Sequence, residues 1–158
     1  MPLTDISTLP DDARIWIFGI SPSLDSAGEA TVFATVDPFL RDWAAHGTPI
    51  LAGRALIDGS FLVIAVDQRS DTSGCSIDRM FGSMRELERK LSVSILDSGR
   101  LFTRDADGAV AAMSRSEFRE RGSVQTRVFD TNAERLGLLR DHSWEKTASD
   151  SWHKALLA

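Results

Sequence analysis

Tyrosine is absent from the 158 residues, cysteine occurs once, and the only lysines are Lys90, Lys146 and Lys154. A single cysteine rules out an internal disulfide, and with it the disulfide-stapled secreted scaffolds. No CxxC, HxxxH or HExxH spacing occurs, so a zinc site would need ligands scattered along the chain. GxxxxGK[ST] is missing, and no lysine lies in a glycine-rich loop, which removes the usual phosphate cradle of nucleotide hydrolases. Gly-x-Ser-x-Gly is missing as well. No apolar run reaches the roughly 18–20 residues that a membrane helix needs. The first residues, MPLTDISTLPDDAR, carry no basic segment followed by an apolar one, so the expectation is a cytoplasmic protein that needs no cofactor, metal or membrane.

What is present is the mixture of a globular protein, 42% hydrophobic and 26% charged. The net charge of −5 argues against broad nucleic-acid binding. Arginines gather between residues 99 and 140, but acids are interspersed among them, as on a solvated face. The length suits one domain. Residues 1–13 are polar and turn-rich and read as a frayed tail, leaving 14–158 as a single domain.

RIWIFGI, from Arg14 to Ile20, has the apolar and β-branched profile of a buried strand. Ser26 and Glu29 fit a capping box, after which Val32, Phe33, Val36, Phe39, Leu40 and Trp43 recur with helical period. Pro38 either kinks that helix or starts a second one. ILAGRALI-DG-SFLVIAVD reads as a hairpin with a two-residue Asp58-Gly59 turn, and its wholly apolar second arm belongs in a sheet centre. From Ser76, the stripe Ile77, Met80, Phe81, Met84, Leu87, Leu91 predicts a second helix. A second hairpin turns at Asp107-Gly108, a short helix runs from the Ser114–Glu117 capping box to Gly122, and TRVFD is a strand. Residues 132–158 read as helical pieces. Two hairpins and two longer helices without βαβ alternation predict an α+β fold with a mainly antiparallel sheet.

The candidate chemistry centres on SGCSID. With Ser76 as N-cap, Cys75 would sit just outside a helix start, where N–H groups and the macrodipole lower a thiol pKa. Unpaired cysteines are also among the most buried residue types, so an inert Cys75 is the competing possibility. A base would have to come from His46, His142 or His153. If 150–153 is helical, Asp150 shares a face with His153 and could orient it. Helix-start N–H groups near Ser76 and Ile77 could then hold an oxyanion.

Trp43-x-x-His46-Gly47, Phe61-Leu-Val-Ile-Ala-Val-Asp67, Gly74-Cys-Ser-Ile-Asp78 and Asp150-Ser-Trp-His153 together resemble an uncharacterised family of short bacterial proteins. Members of that family sometimes carry the automatic label "ABC transporter ATPase", which the missing phosphate-binding loop does not support here. The resemblance covers most of the chain from Ile15 onward. It implies a candidate patch rather than a reaction: Trp43, His46, Asp67, Cys75, Asp78, Trp152 and His153, with Gly74 and Ser76 beside the thiol. More weakly, residues 100–131 are similar to small GYF-like adaptor modules that bind peptides, although the Gly-Tyr-Phe signature is absent. Three functions remain in view. One is a domain binding a small ligand or protein partner. The second is a thiol enzyme using Cys75 with His153 or His46, and the third is a redox sensor in which Cys75 oxidises.

Overall fold

The computed structural model describes residues 3–43, 51–67 and 74–157, with side chains excepted at 74–76. β1 (Arg14–Gly19) is followed by α1 (Ser26–Trp43), the hairpin β2 (Ala52–Ile57) and β3 (Phe61–Val66), and α2 (Gly74–Leu91). The second half adds β4 (Arg100–Arg104), β5 (Val110–Ser114), α3 (Arg115–Arg121), β6 (Arg127–Phe129), α4 (Gly137–Arg140) and β7 (Glu145–Thr147). The strands form two antiparallel sheets, ordered β1-β3-β2 and β5-β4-β6-β7. This is the expected α+β class.

Period-2 alternation explains how the layers assemble. Leu62, Ile64 and Val66 turn one face of β3 to α1 and α2, where Val32, Val36, Met80, Met84 and Leu87 are fully buried. Phe61, Val63 and Ala65 turn the other face to the second sheet, meeting Phe102, Phe129 and Trp144. Buried on both sides, β3 has no polar position and reads as one apolar run. In β4 and β6, Phe102 and Phe129 face the first sheet, whereas Leu101 and Val128 face outward onto Phe118 of α3 and the C-terminal turns. The order of layers is therefore helices, sheet, sheet, and a thin outer layer of α3 with the chain end.

Local details correct several sequence expectations. Asp25, not Ser26, caps α1: its Oδ1 accepts from the Gly28 N–H at 2.8 Å. Pro38 is accommodated inside α1, and Asp37 beside it forms a two-pronged ion pair with Arg54 of β2 (2.9 and 3.0 Å). The first hairpin loop holds three residues rather than two, because Ile57 pairs with Phe61. Asp58 and Gly59 do take positive φ (56° and 65°), and Ser60 is then free to accept from the Ile20 N–H at 2.7 Å, extending the β1–β3 ladder. The capping box at Ser114 and Glu117 forms as expected. Gly122 ends α3 in an extended conformation (φ −80°), so its requirement is space: a Cβ there would lie 2.6 Å from the Phe118 carbonyl oxygen.

The N-terminal stretch is not frayed where it is described. Leu9 and Ala13 are buried, Thr4 donates to the Ala52 carbonyl, and Arg140 donates to the Leu9 carbonyl at 2.6 Å and to Asp11 at 2.7 Å. The C-terminal segment is only partly helical, because Glu145–Thr147 pairs with β6 as an edge strand.

Gly19 on β1 packs under the Phe102 ring, where a Cβ would fall 2.2 Å from a ring carbon. Gly19→Ala must therefore push Phe102 out of the inter-sheet core. The expected loss is about 1–3 kcal/mol, measured by urea denaturation. An unchanged midpoint would show that the ring yields freely.

Candidate functional site

β1 is an edge strand, and its outer edge is only partly covered. Since the Ile20 N–H bonds into the β3 ladder, alternate residues Phe18 and Trp16 do so as well, while Ile15, Ile17, Gly19 and Ser21 aim their backbone groups outward. At one end the Ile15 N–H reaches the Glu134 carbonyl (3.0 Å). At the other, Ser21 and Ser94 exchange both bonds (3.0 and 2.8 Å). Between these closures the N–H and C=O groups of Ile17 and Gly19 meet no partner among the described residues.

That open stretch floors a cleft of about 670 Å³. Phe81 of α2 and the loop Leu96–Ser98 form one wall. Phe102, Arg100 and Arg115 from the second half form the other, with Asn132 and Trp152 above them. Arg14 stacks over Trp16 (4.9 Å from its centroid) and pairs with Glu134 at 3.8 Å; Arg100 pairs with Asp97 at 3.2 Å. Arg115 is exposed and has no acidic partner among the described residues. Among the described residues, the cleft thus combines free backbone donors and acceptors, aromatic surface and one uncompensated cation.

Among the described residues, the sequence-derived candidates lie in different layers of the fold. α2 begins at Gly74, so Cys75 lies inside its first turn rather than outside an N-cap at Ser76. The first turn tolerates Gly74 because its N–H groups lack intrahelical partners in any case. Asp78 is exposed in the next turn. His46 lies outside the described residues. Trp43 is a core residue, 1% exposed and packed on Phe39 and Trp16 (centroids 5.2 and 6.2 Å). Its indole N–H is buried without a partner among the described residues. Asp67 is buried just after β3, with its backbone N–H on the Leu51 carbonyl (2.9 Å).

His153 sits in the outer layer, 1% exposed, stacked on Trp152 (3.9 Å) and edge-on to Phe118 (6.0 Å). The two sheets lie between that layer and the one containing α2, so the fold does not bring the Cys75 backbone and His153 together. Residues 150–153 are not one helix: two 3-10 turns break at Ser151, whose Oγ is 2.6 Å from His153 Nδ1. Asp150 instead accepts from the Thr147 hydroxyl at 3.2 Å, so the orienting role expected of it falls to Ser151. Burial lowers the His153 pKa to about 4; Asp130 opposes that shift and Lys146 adds to it. A neutral ring packed this way fastens the chain end to α3. Among the described candidates, Trp152 alone faces the cleft: it is 39% exposed, and its Nε1 donates to Asp130 at 3.3 Å.

Among the described residues no group of three His, Cys, Asp or Glu side chains could hold a metal ion, and no helix is long and apolar enough to cross a membrane. In comparison with known proteins, no family model, no curated protein and no solved structure matches the chain.

Trp16, Gly19, Arg100, Phe102 and Arg115 were not among the sequence candidates. They lie far apart in sequence, and only the position of β1 at a sheet edge gathers them.

Proposed function

We propose that the protein is a binding domain, acting in the cytoplasm as its composition leads one to expect, and that its ligand seats in the cleft along β1. The observation carrying this reading is the stretch of backbone at Ile17 and Gly19 that has no partner among the described residues. An apolar edge strand left open is a liability that proteins ordinarily cover. Here both ends are closed by other segments while the middle opens into a concavity of the size that ligand sites have. Trp152, brought from the C-terminal candidate motif, supplies an aromatic face beside it.

Tryptophan emission tests this reading, because Trp16 and Trp152 both line the cleft. Ligands from a mixed panel of small aromatic acids and short peptides are expected to change the emission of the native protein and of Cys75→Ser alike. A Ser98→Trp variant, which fills one wall, should no longer bind them. Ligands whose binding survives Ser98→Trp and disappears in Cys75→Ser would move the site to the start of α2.

A further inference from the structure

Resting on that cleft as the binding site, we infer that its occupant is a short, extended, acidic segment of a partner protein, which adds to the first sheet as a strand beside β1. Ile17 and Gly19 each present an outward N–H and C=O, the alternating pattern with which an antiparallel neighbour pairs. A side chain on either residue that blocked the edge would prevent this, but β1 side chains point to the sheet faces, and Gly19 has none.

Length follows from the closures. Ile15 and Ser21 are separated by roughly 20 Å of strand. The Ile15 N–H is already bonded to Glu134, the Ile15 carbonyl accepts from Arg14 Nε, and both Ser21 groups are bonded to Ser94, so the vacant register holds about four residues. The flanks of a bound segment must leave the sheet plane at both ends. A single chain can do so. The edge of a second folded copy would meet the 134–135 and 94 segments before it reached Ile17.

Side-chain chemistry follows from the walls, which stand on both faces of β1. Towards α2, alternate residues of the segment would meet Phe81 and Leu96, and towards the second sheet Phe102, Arg100 and Arg115. Apolar or aromatic groups suit the first side, and a carboxylate suits the second. In a chain of net charge −5, this rim carries Arg14, Arg100 and Arg115 against Asp97 and Glu134. The first two arginines are already paired, which leaves Arg115 as the cation that a ligand would satisfy. Its guanidinium favours a carboxylate through two-pronged hydrogen bonding.

The test is selection of a displayed library of random octapeptides on the immobilised full chain, followed by amide hydrogen exchange with an enriched peptide. Enriched sequences are expected to be rich in Asp or Glu alternating with β-branched or aromatic residues. Binding should slow exchange at the Ile17 and Gly19 amides at least tenfold, and methylating the peptide nitrogens that face β1 should abolish it. Arg115→Glu, an exposed change that spares the core, should weaken binding at least tenfold. Enrichment of nothing, or of basic sequences, overturns the inference. Peptides that perturb Trp152 without slowing Ile17 and Gly19 overturn strand addition while leaving the cleft as the binding site. Slowed exchange that depends on protein concentration without peptide overturns it in favour of a second copy.

Discussion

Phe61→Ala is expected to lower the stability by about 3–5 kcal/mol, the range for deleting a buried aromatic ring. Phe61 opens β3, is fully buried, and touches the three aromatic rings that join the sheets: Phe129 at 4.8 Å, Trp144 at 4.9 Å and Phe102 at 5.1 Å between centroids. These rings come from β4, β6 and the segment before β7, so none can close the space without moving a strand of the second sheet. For a chain of this length, that loss corresponds to a fall in Tm of roughly 10 °C or more. Phe61→Leu, which keeps most of the volume, should cost much less. Guanidinium denaturation followed by near-UV circular dichroism and tryptophan emission measures both. A cost below about 1.5 kcal/mol for the alanine variant would mean that the two sheets do not depend on this cluster.

Acidification should loosen the chain end through His153. Its folded pKa of about 4 lies below the unfolded value near 6.5, so between those values the unfolded chain binds the extra proton. The folded state therefore has its full advantage above pH 6.5 and loses it progressively as pH falls towards 4. The shift corresponds to at most about 3–4 kcal/mol. The cause is burial between Trp152 and Phe118, with Asp130 on the favourable side and Lys146 on the unfavourable one. His153→Phe retains a ring but cannot titrate. The stability of the native protein relative to the variant should fall as pH drops from 7 to 4. A constant difference across that window would show that the imidazole is not the titrating group. Because Trp152 stacks on His153 and also lines the cleft, its emission should change over the same interval.

Periodicity and short-range capping were legible because their physics is local. The α2 stripe, the apolar β3 and the Ser114–Glu117 box each depend on residues within a few positions of one another, and all three form. The same rule misplaced the start of α1, since Asp25 and Ser26 are adjacent and both can cap; the side chain of Asp25 took the Gly28 N–H. Contacts that span the chain were not legible. Leu9 and Ala13 are two apolar residues in a polar stretch, and what fixes that stretch is Arg140, over 120 residues away. β7 is Glu-Lys-Thr, three residues with no apolar alternation, and it becomes a strand only by pairing with Arg127–Phe129.

The candidate site divides along the same line. The motif residues were visible as motifs, but the layers place α2 and His153 on opposite sides of two sheets, and residue spacing holds no information about that. Trp152 was the one motif residue, among those described, that reached the cleft. The others lining it have no shared sequence signal, because which strand becomes an edge is decided by how the sheet is ordered. Even so, RIWIFGI was legible as a strand, and its apolar character is what makes an open edge there consequential.

The most direct test of the binding cleft is an amide chemical-shift map of the isotopically labelled chain, titrated with an end-blocked peptide of alternating valine and glutamate. The shifted amides are expected to cluster at Trp16–Gly19, Leu96–Ser98 and Asn132–Glu134, joined by the Trp152 indole. Shifts confined to the first turns of α2 around Cys75, with the cleft silent, would contradict it.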